Sequence, residues 1–319
     1  MSAREVIFLG TASQVPTRTR NHNAMFLRWD SLGILFDPGE GTQRQLLHAG
    51  IAATQITHIA VTHFHGDHCL GLAAILQRIS LDRVPHPIEI IYPASGEQYL
   101  YRLRYSAIYH EQANLVLRPV TRPADKPGLP FVVAESGGTR IFACALEHRV
   151  ECFGYRLQEA DGHRMVPERL RAAGVQGPAI RELISSGELT VGGRTIRLQD
   201  VSEPRPGQVF ALVMDTRPCP GAQHLAAGAD MLVCESTFLS SEAEEAHAYC
   251  HMTAAQAAEL AQAAQARTLV LTHFSQRYTS LDGFATEAGA VHPEVVVAAD
   301  LVRVPVPPRQ EALPPAGRA

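Results

Sequence analysis

Between Val61 and Gly71 the chain reads VTHFHGDHCLG, which places His63, His65, Asp67 and His68 within six residues. Imidazole and carboxylate donors without a thiolate suit Zn²⁺ or Mn²⁺, and such a site with an open coordination position activates water. The cluster follows the apolar run ITHIAVTH, so it is expected at the carboxyl end of a strand, where the chain turns toward a helix. His63 and His65 are two apart, which in extended chain aims both rings to one side. Gly66 permits a sharp turn, after which Asp67 and His68 can face a neighbouring position. One ion could take the first pair and a second ion the other. Two ions need further ligands, and three candidates repeat the position of His63 behind an apolar run: His148 after RIFACALE, Asp215 after VFALVM and His273 after TLVLT.

The elements that must carry these residues alternate along the chain. EVIFLG, AMFLRW, GILFD and IEIIYP read as strands, GTQRQLLHAG and GLAAILQRIS as helices, and the rhythm returns after about residue 205 with VFALVMD, MLVCEST, TAAQAAELAQAA and TLVLTH. Strands and helices interleaved in two halves predict an α/β fold of two sheets packed together with helices outside. A turn-rich, polar segment at residues 158–203 interrupts the rhythm within a domain spanning 1–304. PERLRAAG and AIRELISSG inside it carry helical spacing with a terminal glycine, so a small helical protrusion is expected there, with a disordered linker as the alternative. The Pro-rich tail, 305–319, is expected to be disordered.

The 319 residues and 34.7 kDa are enough for a sizeable core. Six scattered cysteines without CxxC pairing argue against a disulfide framework or a cysteine zinc site. No signal peptide and no membrane-length apolar run is read, so a cytoplasmic location is expected. With a formal charge of −4, a polyanion has to be held by a local patch and the metal site. Lys126 is the single lysine, so nearly every positive charge is arginine.

HFHGDH with a later His, Asp and His resembles the metallo-β-lactamase superfamily. FLGTASQVPTRTRN, FDPGEGTQRQLLHAGI, FGYRL, DTRPC, CEST, HMTAAQAA and LTHFSQRY are similar, in this order, to the motifs of the ribonuclease Z family. The resemblance implies an αβ/βα sandwich with an inserted arm, and a zinc-dependent endoribonuclease that removes the 3′ trailer from precursor tRNA. It implies one zinc on His63, His65 and His148, a second on Asp67, His68 and His273, and Asp215 bridging. It assigns Asp67 as the acceptor of the water's proton, and Glu235 with His251 as the pair that protonates the leaving 3′-oxygen. Arg18, Arg20, Asn21, Ser275 and Arg277 would position RNA, with Ser275 expected at a helix start whose free N–H groups favour phosphate. Gly177 and Pro178 mark the arm that would grip tRNA across a homodimer.

The chain departs from the family pattern at Arg18 in place of Lys, Pro38 in place of Cys, Met214 in place of Gly and Cys234 in place of His. None of these is a metal ligand. From Tyr155 to Val201 seven Arg stand against six Asp and Glu, a weak electrostatic grip. The competing readings are a hydrolase of a small phosphodiester or sulfate ester on the same metal pair, and a non-enzymatic zinc- or RNA-binding protein.

Overall fold

Short runs of β-branched and aromatic residues pair into two seven-stranded sheets in a computed structural model that describes residues 4–125 and 128–308. Lys126 and the tail from residue 309 onward lie outside the described residues. Pro305, expected to open a disordered tail, instead ends the strand Arg303–Pro305, and Val306 N–H donates to Arg4 O at 2.9 Å, because the edge strand pairs with Glu5–Gly10. The first sheet runs, in spatial order, Arg303–Pro305, Glu5–Gly10, Ala24–Trp29, Leu32–Phe36, His58–Ala60, Ile88–Pro93 and Leu115–Val120. The second runs Val295–Val297, Thr268–Thr272, Met231–Glu235, Val209–Val213, Phe153–Glu159, Thr139–Ala145 and Phe131–Ser136. Both are mixed, each with four consecutive strands in parallel.

One apolar layer lies between the sheets, where Trp29, Phe36, Phe153, Tyr155 and Phe210 are all buried. Helices cover the outer faces. Leu72–Leu81 buries Leu72, Ile75, Leu76 and Ile79 against the first sheet, the spacing of an amphipathic stripe. Ala254–Ala263 buries Ala254, Ala257, Ala258 and Ala261 against the second, and alanine lets that helix approach its sheet closely. Its amino end is fixed by a capping box. Thr253 Oγ1 accepts from Gln256 N–H at 3.2 Å while Gln256 Oε1 accepts from Thr253 N–H at 3.0 Å. The sandwich with outer helices is the architecture expected from the alternating pattern.

The strand expected over ITHIAVTH is shorter, His58–Ala60, and the histidines follow on an extended loop rather than at the last strand residue. The helix expected over GTQRQLLHAG spans Thr42–Ala49 and ends on Gly50 at φ 69°, a conformation that favours glycine.

Residues Glu159–Gln208 form a separate compact unit, a few residues offset from the expected 158–203. Its helices Pro167–Ala172 and Pro178–Ser186 fall on the two segments with helical spacing. The unit is nevertheless not purely helical, as expected, but mixed. Gly162–Met165 pairs with Ser202–Arg205, and Glu188–Val191 pairs with Arg194–Arg197. The second hairpin turns on Gly192 and Gly193, both at positive φ, and a Gly-Gly pair between alternating residues is a hairpin signal that the helical reading overlooks. Leu170, Val175, Leu183 and Val201 give the unit its own small core.

Candidate metal centre

The parallel strands of both sheets deliver their carboxyl ends to one edge, and the seven expected ligands meet there. His63, His65, His148 and Asp215 converge as one group and Asp67, His68 and His273 as another. In the first, His63 Nε2 lies 2.9 Å from His65 Nδ1, and His148 Nε2 lies 3.3 Å from the same atom. In the second, His68 Nε2 and His273 Nε2 are 3.2 Å apart, with Asp67 Oδ2 at 3.4 and 3.5 Å from them. Ligand atoms around a tetrahedral ion at about 2.0–2.1 Å stand about 3.3 Å from one another, so these spacings suit one ion per group.

Asp215 belongs to both groups. Its Oδ2 lies 3.7 Å from His63 Nε2 and 3.8 Å from His148 Nε2, while its Oδ1 lies 3.3 Å from His68 Nε2 and from His273 Nε2. Asp215 Oδ1 is buried and has no hydrogen-bond partner of acceptable geometry, the state of an oxygen that a cation would satisfy. Burial pushes the Asp215 carboxyl up, but His273, His68 and His63 outweigh it and hold it well below the usual carboxylate range. Asp67 behaves alike: burial opposes ionisation, and His68 and His273 override it. Burial alone would drive His68 toward neutrality, yet Asp215, Asp67 and Asp37 around it raise its pKa well above the ordinary histidine value. A buried ring ringed by three carboxylates is a place built for positive charge, whether a proton or a metal ion.

The nitrogens that face away from the cluster are held in place. His63 Nδ1 meets Thr62 Oγ1 at 3.0 Å, His68 Nδ1 meets Asp37 Oδ2 at 2.8 Å, and His273 Nδ1 meets Thr237 Oγ1 at 3.0 Å. His148 Nδ1 donates to Cys250 O at 3.2 Å. Such partners fix the ring and its tautomer. Asp37 also accepts from Thr62 N–H at 2.7 Å and Thr62 O–H at 2.8 Å, which ties one strand end to the loop that carries the histidines. Asp37, Asp215 and His273 share a left-handed backbone, at φ 47°, 41° and 64°, each directly or one residue beyond its strand. Non-glycine residues adopt that conformation at a cost, and it recurs at functional sites. Asp37, Thr62 and Thr237 are absent from the sequence-derived set. The available signal for Asp37 was its place behind the apolar run GILF, the same position that singled out Asp215.

Glu235 ends its strand fully buried. Its Oε1 accepts from His251 Nδ1 at 2.9 Å and from Thr216 N–H at 2.6 Å, and its Oε2 accepts from Thr237 O–H at 2.6 Å. His251 sits in the short link between the helix Ala243–Tyr249, which ends on Cys250 at φ 61°, and the capping box at Thr253. Burial pulls the His251 imidazolium down, but the adjacent Glu235 carboxylate more than offsets it, and the pKa is pushed up to about 9. The ring lines a cleft of about 810 Å³ together with Asp67, Asp215, Arg149, Tyr249 and Ser275.

The residues expected to position RNA separate into two kinds. Arg18 is exposed, and Arg277 lines the cleft, paired with Glu245. Arg20 turns inward: it is 8% exposed, and its Nη2 donates to Ser275 O at 3.1 Å and Tyr278 O at 2.9 Å, so it braces a loop instead of facing a phosphate. Asn21 likewise donates from Nδ2 to Glu40 O at 2.9 Å. Ser275 is not at a helix start. It closes the two-residue strand Phe274–Ser275, which pairs with Ala12–Ser13, and the next helix begins at Asp282. Ser275 O accepts from Tyr278 N–H at 3.3 Å in a single turn that no helix continues. Gly177 and Pro178 lie in the separate unit, Gly177 at φ 56° directly before the helix Pro178–Ser186.

The sequence model of the Metallo-beta-lactamase superfamily matches residues 17–152. A protein named Ribonuclease Z from Nocardia farcinica is 57% identical over 313 residues, which covers 97% of this chain and 100% of the relative. Another of that name, from Salinispora arenicola, is 53% identical over 99% of this chain and 100% of its own. Among solved structures, the short form of human tRNase Z superposes with a TM-score of 0.69 at 26% identity, covering 95% of this chain and 99% of the human one.

Proposed function

We propose, for a chain that belongs to the ribonuclease Z family of the metallo-β-lactamase superfamily and is a tRNA 3′-processing endoribonuclease, that hydrolysis runs at the His/Asp cluster with two metal ions. The observation that carries this is Asp215, whose two carboxylate oxygens address different ligand groups, Oδ2 the first and Oδ1 the second. His63, His65 and His148 would hold one ion and Asp67, His68 and His273 the other, with Asp215 between them. Nitrogen and oxygen donors without thiolate suit zinc, with manganese the alternative. When bound, such a pair would lower the pKa of a water and neutralise charge on the phosphoryl oxygens.

The remaining work falls to this chain's own groups. Asp67, ionised and at the cleft surface, orients the water and accepts its proton. His251, protonated and held by Glu235, passes the Nε2 proton to the departing ribose 3′-oxygen. The products are a tRNA ending in a 3′-hydroxyl and a 5′-phosphorylated trailer. Ser275 and Arg277 line the cleft where the RNA end would lie, and Arg18 stands exposed on the loop that Arg20 anchors. The unit Glu159–Gln208, with Gly177 and Pro178, would grip the tRNA body, acting across a homodimer. Among the described residues no helix is long and apolar enough to cross a membrane, and a cytoplasmic location fits a tRNA substrate.

The test is cleavage of a 3′-extended precursor tRNA beside a small chromogenic phosphodiester, with zinc-loaded protein and a variant lacking residues 160–200. Loss of tRNA cleavage alone in the deletion supports the arm's role. Turnover of the small ester with the tRNA left intact by the full chain would mark a small-substrate hydrolase.

A further inference from the structure

Two arginines, Arg149 and Arg277, line the cleft, and they are not equivalent. Arg277 lies 4.9 Å over the Phe238 ring and its guanidinium is neutralised by Glu245. Arg149 also lines the cleft, and among the described residues no carboxylate pairs with it. Its side chain is nonetheless fixed. The guanidinium lies 4.9 Å over the Tyr249 ring, Nη2 donates to Ala248 O at 2.8 Å, and Tyr249 in turn stacks on Phe238 at 6.5 Å with 18° between the rings. The backbone beneath it is fixed as well, because Leu146 N–H to Cys152 O at 2.9 Å closes the loop that carries His148 and Arg149.

A guanidinium offers five N–H donors in a rigid plane. Arg149 spends one of them on a carbonyl and has no counter-charge among the described residues, so it is a prepositioned cation with donors left for an anion. We propose that Arg149 binds an RNA phosphate, the one on the 5′ side of the last nucleotide retained in the tRNA. The inference rests on the tRNA-cleavage reading. The assignment of the phosphate follows from His251. Its ring lies 5.4 Å from that of His148, the neighbour of Arg149, and Tyr249 under the guanidinium is two residues before His251. His251 serves the departing 3′-oxygen, which belongs to the retained nucleotide. The next phosphate on that side of the cut is therefore the one 5′ of this nucleotide.

The experiment compares wild type, Arg149→Met and Arg149→Lys on precursor tRNA in which that single linkage is either natural or a neutral methylphosphonate. With natural RNA, KM should rise about tenfold in Arg149→Met, the scale of one charge-assisted hydrogen bond, with Arg149→Lys between. The slope of log(kcat/KM) against log[salt] should flatten by about 0.7 to 0.9. With the methylphosphonate, wild type should fall to the level of Arg149→Met, and Arg149→Met should lose nothing more. Equal further losses in both proteins, or an unchanged salt slope in Arg149→Met, would overturn the proposal. A purely structural role for Arg149 lowers Tm but moves neither the slope nor the coupling to one phosphate. If wild type leaves the natural precursor uncut, the functional reading fails first and this inference falls with it.

Discussion

Glu235 Oε1 and His251 Nδ1 are 2.9 Å apart, and the carboxylate that holds the ring is itself fully buried and filled by Thr216 N–H and Thr237 O–H. The carboxylate therefore has no spare capacity for substrate, and the His251 ring has one nitrogen left for the cleft. A pair so arranged keeps the imidazole protonated and pointed, which is the requirement of an acid that serves a poor leaving group.

The first prediction concerns pH. The folded pKa of His251 is raised toward 9, so the acid form dominates below that value and is lost as pH rises through it. Cations bound beside the ring bring the value down, which places the alkaline limb of the kcat profile below pH 9. Glu235→Gln keeps a hydrogen-bond acceptor but removes the charge, so the limb should move to lower pH and kcat should fall about 10²-fold to 10⁴-fold. An alkaline limb unmoved in Glu235→Gln would assign the acid to another group.

Asp215→Ala removes the oxygen pair that both ligand groups share. Turnover should be abolished, and metal analysis should find fewer than two ions per chain, while far-UV circular dichroism stays close to wild type. Full activity in this variant would sink the two-metal assignment.

Asp37 acts through His68 and Thr62. Asp37→Asn keeps the shape of the side chain but loses the charge that orients His68, and metal affinity should drop about 10-fold to 100-fold, read by competition with a chromogenic chelator. Affinity equal to wild type would leave Asp37 with only a fold-stabilising role.

Removing metal should lower Tm, because an ion held by ligands that only the folded chain brings together stabilises the folded state. Metal at about 1,000 times its Kd stabilises by about 4 kcal/mol, so a scan with and without chelator should show a shift of several degrees that added zinc reverses. Identical melting curves would argue against an ion at this site.

Arg20 and Arg18 should part company. Arg20→Met removes a donor from Tyr278 O and one of the two donors to Ser275 O, and should cost about 1–3 kcal/mol, seen as a lower Tm. Arg18→Met should leave Tm unchanged and flatten the salt dependence of tRNA cleavage. The reverse pattern would restore Arg20 as a phosphate ligand.

The sequence by itself determined the donor set and the architecture. Candidate metal ligands are recognisable by type, and His63, Asp215 and His273 each follow an apolar run because parallel strands present their carboxyl ends at one edge. The period of the apolar residues likewise announces sandwich and helices, since burial on one face leaves a repeat that composition preserves. What only the tertiary structure decided is which atoms of distant residues meet. The division of Asp215 between two groups, the tie of Asp37 to His68, the inward turn of Arg20 and the strand at Ser275 all depend on chain segments that packing brings together. Arg149 and Arg277 look alike in sequence, and only the fold gives Glu245 to one and, among the described residues, no carboxylate to the other. Local sequence encodes periodicity and donor chemistry. It does not encode which partner a side chain finds across the sheets, because that is set by the register and packing of the whole sandwich.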